Sequence, residues 1–98
     1  MKHVRRAHGH NMNYVYILHS EKDGGLYIGY TTDLKRRLSE HQKGLSKSTK
    51  HRAPVHLIHY EAFSEVADAR AREKYLKSEH GREQLKNQLK RLFAKLKV

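Results

Sequence analysis

The 98-residue chain has no cysteine, no tryptophan and a single proline. Without cysteine there is neither a disulfide framework nor a thiolate metal site, and a reducing compartment, the cytoplasm, is expected. No apolar run approaches the roughly 20 residues that a membrane-spanning helix needs, so integral membrane association is not expected. The opening MKHVRRAHGHN is charged and histidine-rich and lacks the apolar centre of a secretory signal. Residues 1–12 are therefore expected to form a disordered extension, in which His3, His8 and His10 have no fixed spacing for a metal. Residues 13–98 are expected to form one domain with one modest core. Acidic residues are also scarce: 10 Asp and Glu stand against 21 Lys and Arg, a formal charge of +11. So positive a small body attracts polyanions, nucleic acid first and acidic membrane second. A basic solvated surface with no partner is the plain alternative.

What the chain does have is tyrosine, concentrated in YVYILHSEKDGGLYIGY over residues 14–30. Residues 14–20 and 25–30 read as two strands rich in β-branched and aromatic residues, joined through Asp23-Gly24, a hairpin signal. Thr32 or Asp33 can cap a helix that runs to about Lys43 and stops at Gly44. A polar, basic loop follows over residues 44–53. Pro54 then opens a third strand, Val55 to Glu61, in which His56 and His59 read as ordinary strand-face residues. Ser64 is placed to cap a helix running to about Glu79, punctuated by Gly81. From Arg82 onward Leu85, Leu89, Leu92, Phe93 and Leu96 recur at helical spacing. The order β-β-α-β-α-α predicts an α/β (α+β) domain: a small antiparallel three-stranded sheet flanked by helices. The last, basic amphipathic helix packs on the domain or docks on a membrane surface or protein.

Alternation along the strands sorts the hairpin into two faces. With Lys22 paired to Gly25, Val15, Ile17, Leu26 and Ile28 share an aliphatic core face. Tyr14, Tyr16, Leu18, Tyr27 and Gly29 share the other. Gly29 leaves room for a backbone or ligand to come close, and phenols seek polar partners when buried. That face is either the wall of a cleft or ordinary tyrosine packing under a helix.

Tyr14-Val15-Tyr16 and Tyr27-Ile28-Gly29, followed by Arg37 on a helix and Glu73 on a later one, resemble the GIY-YIG endonuclease family. The chain is most similar to small single-domain bacterial members related to the N-terminal nuclease domain of the bacterial DNA-repair excinuclease. Tyr14 stands where the family name has glycine, and Tyr30 replaces the lysine that follows the second half-motif in some members. The resemblance spans residues 13 to about 85. It implies the GIY-YIG fold and hydrolysis of DNA phosphodiester bonds with one divalent metal, Mg2+ or Mn2+.

The chemistry needs an activated water, stabilised phosphorane-like charge, a neutralised leaving oxygen and a strand held in line. Tyr16 is the candidate to activate the water, with Tyr27 beside it, provided nearby cations lower a phenol pKa that is ordinarily near 10. Arg37 has the planar fork that clamps a phosphate; alternatively it is one solvated charge in Lys35-Arg36-Arg37. His41 shares its helix face, and the resemblance implies a hydrogen-bonding or proton-relay role there. Glu73 falls on a stripe with Val66, Ala69 and Leu76. It is either the metal ligand or half of an ion pair with an arginine such as Arg70.

Nucleic-acid contacts are expected from Gly29, from Lys35 and Arg36, and from the loop cations Lys43, Lys47, Lys50 and Arg52. By resemblance Asn87 is a late phosphate contact. About five engaged phosphates would give a log–log salt slope of roughly −4 to −5 on duplex. No element reads as a base-reading major-groove helix. Recognition of branched or single-stranded DNA by shape is therefore expected, with a possible protein partner choosing the substrate. The competing reading is a nucleic-acid-binding module that keeps the fold and cleaves little or not at all.

Overall fold

A computed structural model of the chain describes residues 12–96. The expectations for residues 1–11, with His3, His8 and His10, and for residues 97–98 lie outside the described residues. Strands β1 (Asn13–Ser20), β2 (Leu26–Thr31) and β3 (Val55–Phe63) form one antiparallel sheet in the order β2-β1-β3. The helices are α1 (Leu34–Gln42), α2 (Val66–Leu76), α3 (Glu79–Gln88) and α4 (Lys90–Leu96), with a short 3-10 turn at Lys50–Arg52. The three-stranded α+β architecture expected from the sequence is thus present. Among the described residues, no helix is long and apolar enough to cross a membrane.

The hairpin is not closed by a two-residue Asp-Gly turn. Ser20 N–H donates to the Gly25 carbonyl at 2.9 Å, so residues 21–24 form the loop, with Gly24 at φ 74°. Ser20 Oγ accepts the N–H groups of Lys22 (3.1 Å) and Asp23 (3.2 Å), and the Asp23 carboxylate accepts the Gly25 N–H at 2.8 Å. These side-chain bonds favour the wider loop. Tyr16 consequently pairs with Gly29, and Ile17 with Ile28. The slip relative to a Lys22–Gly25 pairing is an even number of residues, so every side chain keeps its expected face.

Each face has its own core. Val15, Ile17 and Ile28 pack with Ala69, Leu76, Leu85 and Phe93 from α2, α3 and α4. On the other face Tyr16, Leu18 and Val55 pack with Leu34 and Leu38 of α1. The sheet is therefore a layer between α1 on one side and α2–α4 on the other. Asp33 caps α1 by accepting the Arg36 N–H at 3.1 Å, which aims Arg37 and His41 along the sheet.

The helices after β3 differ in detail from the sequence reading. Glu65, not Ser64, is the N-cap of α2, and the Ser64 carbonyl instead accepts from Asn13 Nδ2 at 3.3 Å. α2 stops at Leu76 because Ser78 starts a new helix, accepting the Gly81 N–H at 3.1 Å. Gly81 lies inside α3 rather than after α2, and a Cβ there would overlap the Tyr75 carbonyl. The final helical run is split at Leu89 into α3 and α4, with Leu85 and Phe93 buried in the core. Its apolar residues Leu85, Leu89, Leu92 and Phe93 pack on the domain, the first of the two alternatives expected for it.

Candidate active site

The cross-strand pairing of Tyr16 with Gly29 starts the site. Tyr16 is 1% exposed, and a Cβ on Gly29 would collide with its phenol ring. The close approach expected at Gly29 is therefore made by Tyr16 itself, not by a ligand. Beneath α1 the Tyr16 hydroxyl shares a 3.0 Å hydrogen bond with His41 Nε2. His41 is fully buried, and its Nδ1 shares a 2.6 Å bond with Thr49 Oγ1, itself 1% exposed. Tyr27 closes the group: its ring centroid lies 6.2 Å from that of Tyr16 and 5.4 Å from that of His41. The Tyr27 and Ser48 hydroxyls are 3.4 Å apart. Neighbouring loop hydroxyls, Ser48 and Thr49, thus reach Tyr27 and His41.

Electrostatics set the protonation states. Burial, reinforced by neighbouring Tyr27 and opposed by Arg37, pushes the Tyr16 phenol up to about 12. This corrects the expectation that nearby cations lower it: desolvation of a phenolate outweighs one guanidinium. Burial, then Arg37, pushes His41 down, with Glu40 opposing. The histidine is accordingly a neutral imidazole near pH 7. Arg37 Nη1 donates to Glu40 Oε1 at 2.8 Å, a pair that fixes the guanidinium beside Tyr16 and holds its pKa up. It is a half-buried, positioned cation and not a freely solvated one.

Tyr16, Tyr27, Arg37 and His41 are brought together. Glu73 is not joined to them: it lies on α2, the helix packed on the opposite sheet face. Its side chain is 14% exposed and paired with Arg70 (3.1 Å) and Lys77 (3.0 Å), the ion-pair alternative raised by the sequence. Arg70 in turn stacks 3.8 Å from the ring centre of Tyr30, on edge strand β2. Arg70 thus links the α2 ion pair to the edge strand β2. Among the described residues, no three His, Asp or Glu side chains are grouped to hold a metal ion.

The expected nucleic-acid contacts divide similarly. Lys35, Lys43, Lys47 and Lys50 are exposed, and Lys47 and Lys50 bracket the Ser48–Thr49 pair. Arg36 is exposed but engages Asp33 and Glu40, each at 3.6 Å. Arg52 is committed to the hairpin: its Nε donates to Asp23 at 3.0 Å, and this bond is the main cause holding the Asp23 carboxyl down at about 2. Asn87, on α3, lines a shallow groove with Tyr75, Glu79, His80, Glu83 and Gln84, away from the phenol cluster. Thr49, Ser48 and Glu40 escaped sequence reasoning. A hydroxyl in a Ser/Lys-rich loop and a glutamate on a basic helix carry no periodic signal, and only the folded loop reveals their partners.

Residues 12–88 match the GIY-YIG catalytic domain. The chain is 45% identical over 67 residues to the UPF0213 protein CPE1444 of Clostridium perfringens, covering 67% of this chain and 71% of that protein. It is 46% identical over 67 residues to the UPF0213 protein HQ_3675A of Haloquadratum walsbyi, covering 67% and 74%. A solution NMR structure of the UPF0213 protein BH0048 from Bacillus halodurans is 40% identical, with a TM-score of 0.49 over 76% of this chain and 81% of that one. The chain belongs to the GIY-YIG family, a nuclease family.

Proposed function

We propose that the protein is a metal-dependent endonuclease that hydrolyses DNA phosphodiester bonds in the cytoplasm, selecting its substrate by shape or structure. The observation that carries this reading is the Tyr16–His41–Thr49 chain of hydrogen bonds, with Arg37 beside the phenol. A neutral phenol with a pKa near 12 is not a base by itself. It becomes one when its own proton has somewhere to go. Tyr16 takes a proton from the attacking water while passing its own to His41 Nε2, and Thr49 accepts the Nδ1–H bond of the imidazolium so formed. Arg37, held by Glu40, presents its remaining donors to the scissile phosphate. Tyr27, whose hydroxyl faces the loop at Ser48, orients the water or the phosphate.

Glu73 is the carboxylate that would hold a divalent metal, Mg2+ or Mn2+, exchanging its pairs with Arg70 and Lys77 for it. A single carboxylate suits an ion that also takes substrate oxygens and waters. When bound, the metal supplies Lewis-acid stabilisation of the leaving oxygen. The test is a cleavage assay on duplex, flap, branched and single-stranded DNA. Cutting is expected with Mg2+ or Mn2+, none with chelator, and at least hundred-fold less for Glu73→Ala, the order of one lost electrostatic stabiliser. Undiminished cutting by Glu73→Ala would remove that residue from the mechanism.

A second reading, a DNA-binding module with little cleavage, is favoured by one observation. Glu73 is already ion-paired, on a helix packed against the other face of the sheet. Salt-sensitive binding without cleavage on any substrate or metal would select it. A protein partner that supplies substrate choice is compatible with both readings.

A further inference from the structure

Tyr60 of β3 is 51% exposed. Single exposed aromatics are common and need no explanation. Three features set this one apart. It is the direct cross-strand partner of Tyr16, so Gly29, Tyr16 and Tyr60 form one row across the sheet, on one face. Tyr14, one pair further along that face, meets the Tyr60 ring edge-on, at 6.0 Å between centroids and 63° between planes. The apolar cluster beneath α1 takes in Tyr16, Leu18, Tyr27, Leu34, Leu38, Val55 and Leu57 and leaves both Tyr14 and Tyr60 outside it. An aromatic face braced by a second ring therefore stands open beside the phenol cluster.

We propose that Tyr60, braced by Tyr14, is a stacking platform for an unpaired nucleobase adjacent to the phosphate held at Tyr16 and Arg37. The inference rests on the nuclease-or-binder reading of that same site and names its substrate class: nucleic acid that is single-stranded where it crosses the sheet. The formal charge of +11 and the exposed lysines of α1 and the following loop attract the backbone. An aromatic ring offers every base a stacking surface without reading its sequence. A base inside a duplex has both faces occupied by its neighbours and cannot use the ring without unstacking.

The test is equilibrium binding by fluorescence anisotropy in the presence of chelator, so that no cleavage intervenes. The probes are a labelled oligothymidylate and a labelled duplex. Tyr60→Ala is expected to weaken oligothymidylate binding roughly five- to hundred-fold, the range for loss of one stacked base, and to leave duplex binding unchanged. Tyr60→Phe, which keeps the ring, is expected to bind both probes as the wild type does. Tyr60 is half exposed, so the variants should fold, which a thermal melt checks. Unchanged oligothymidylate binding by Tyr60→Ala overturns the proposal, as does an equal loss on both probes. Because no metal is present, failure of the cleavage reading leaves this outcome legible.

Discussion

Gly29 and Tyr16 show how little room the site allows. Gly29→Ala forces the Tyr16 ring off its position against the strand, at a cost of about 1–3 kcal/mol typical of an overpacked core. Denaturant unfolding measures that loss, and cleavage or binding should fall with it because the phenol can no longer keep its 3.0 Å bond to His41. The raised Tyr16 pKa also has a signed consequence. An unfolded chain ionises this phenol near 10, whereas the folded chain holds it to about 12. Stability from this group is intact below pH 10 and is lost as pH climbs from about 10 to about 12. In a spectrophotometric titration Tyr16→Phe should remove a phenol step near pH 12. Thr49→Val, which keeps shape and removes the hydroxyl, leaves His41 Nδ1 without its partner. It should lower the melting temperature, because a buried ring nitrogen loses its partner, and alter the pH profile of activity; Thr49→Ser should restore both.

At the scale of elements, the joint between β3, α2 and α3 is polar. Burial pushes the Glu61 carboxyl up, but bonds from Arg72 (2.8 and 3.2 Å) and His59 (2.9 Å) outweigh it and hold the group below its ordinary value. Arg72 also reaches Gln88 at 3.2 Å, which ties α3 to the strand. The stability this carboxylate contributes is present above its unfolded pKa and drains away as pH falls through the folded one. Arg72→Met should destabilise the protein at pH 7 by on the order of 1–3 kcal/mol, the cost of a partly buried carboxylate without its main partner. It should also flatten the pH dependence of denaturant unfolding in the acid range. These elements also show what the sequence could disclose. Strand alternation sorted Tyr16, Tyr27 and Gly29 onto one face correctly even though the hairpin closes with a wider loop, because an even slip preserves parity. A cap at Thr32 or Asp33 and the stop at Gly44 were legible from capping, the shared face of Arg37 and His41 from i,i+4 spacing, and Arg37 itself only from the family resemblance. The break at Ser78 and the split at Leu89 were not, since Gly81 reads as a helix stop until the Tyr75 backbone is seen against it. Nor was the Arg52–Asp23 tie, which joins residues far apart in the chain across a turn.

For the molecule as a whole, the excess of positive charge is unevenly usable. Arg36, Arg37 and Arg52 are ion-paired, whereas among the described residues Lys35, Lys43, Lys47 and Lys50 have no acidic partner. About four engaged phosphates give a log–log salt slope on duplex DNA of roughly −3 to −4, shallower than counting every nearby cation suggests. Lys47→Ala should reduce that slope by about one unit on any sequence, measured by anisotropy across a salt series. The sandwich of α1, sheet and α2–α4 also explains why the sequence motif alone could not arrange the whole site. Tyr16, Tyr27, Arg37 and His41 belong to one layer boundary, while Glu73 lies on α2, which packs on the other. We propose that the Tyr16–His41 pair activates the attacking water. Single-turnover cleavage of DNA with Mg2+ by wild type, Tyr16→Phe and His41→Gln, each shown folded by its melt, tests it directly. The predicted result is at least hundred-fold slower cutting by both variants with DNA binding retained; cutting at the wild-type rate by either would contradict the claim.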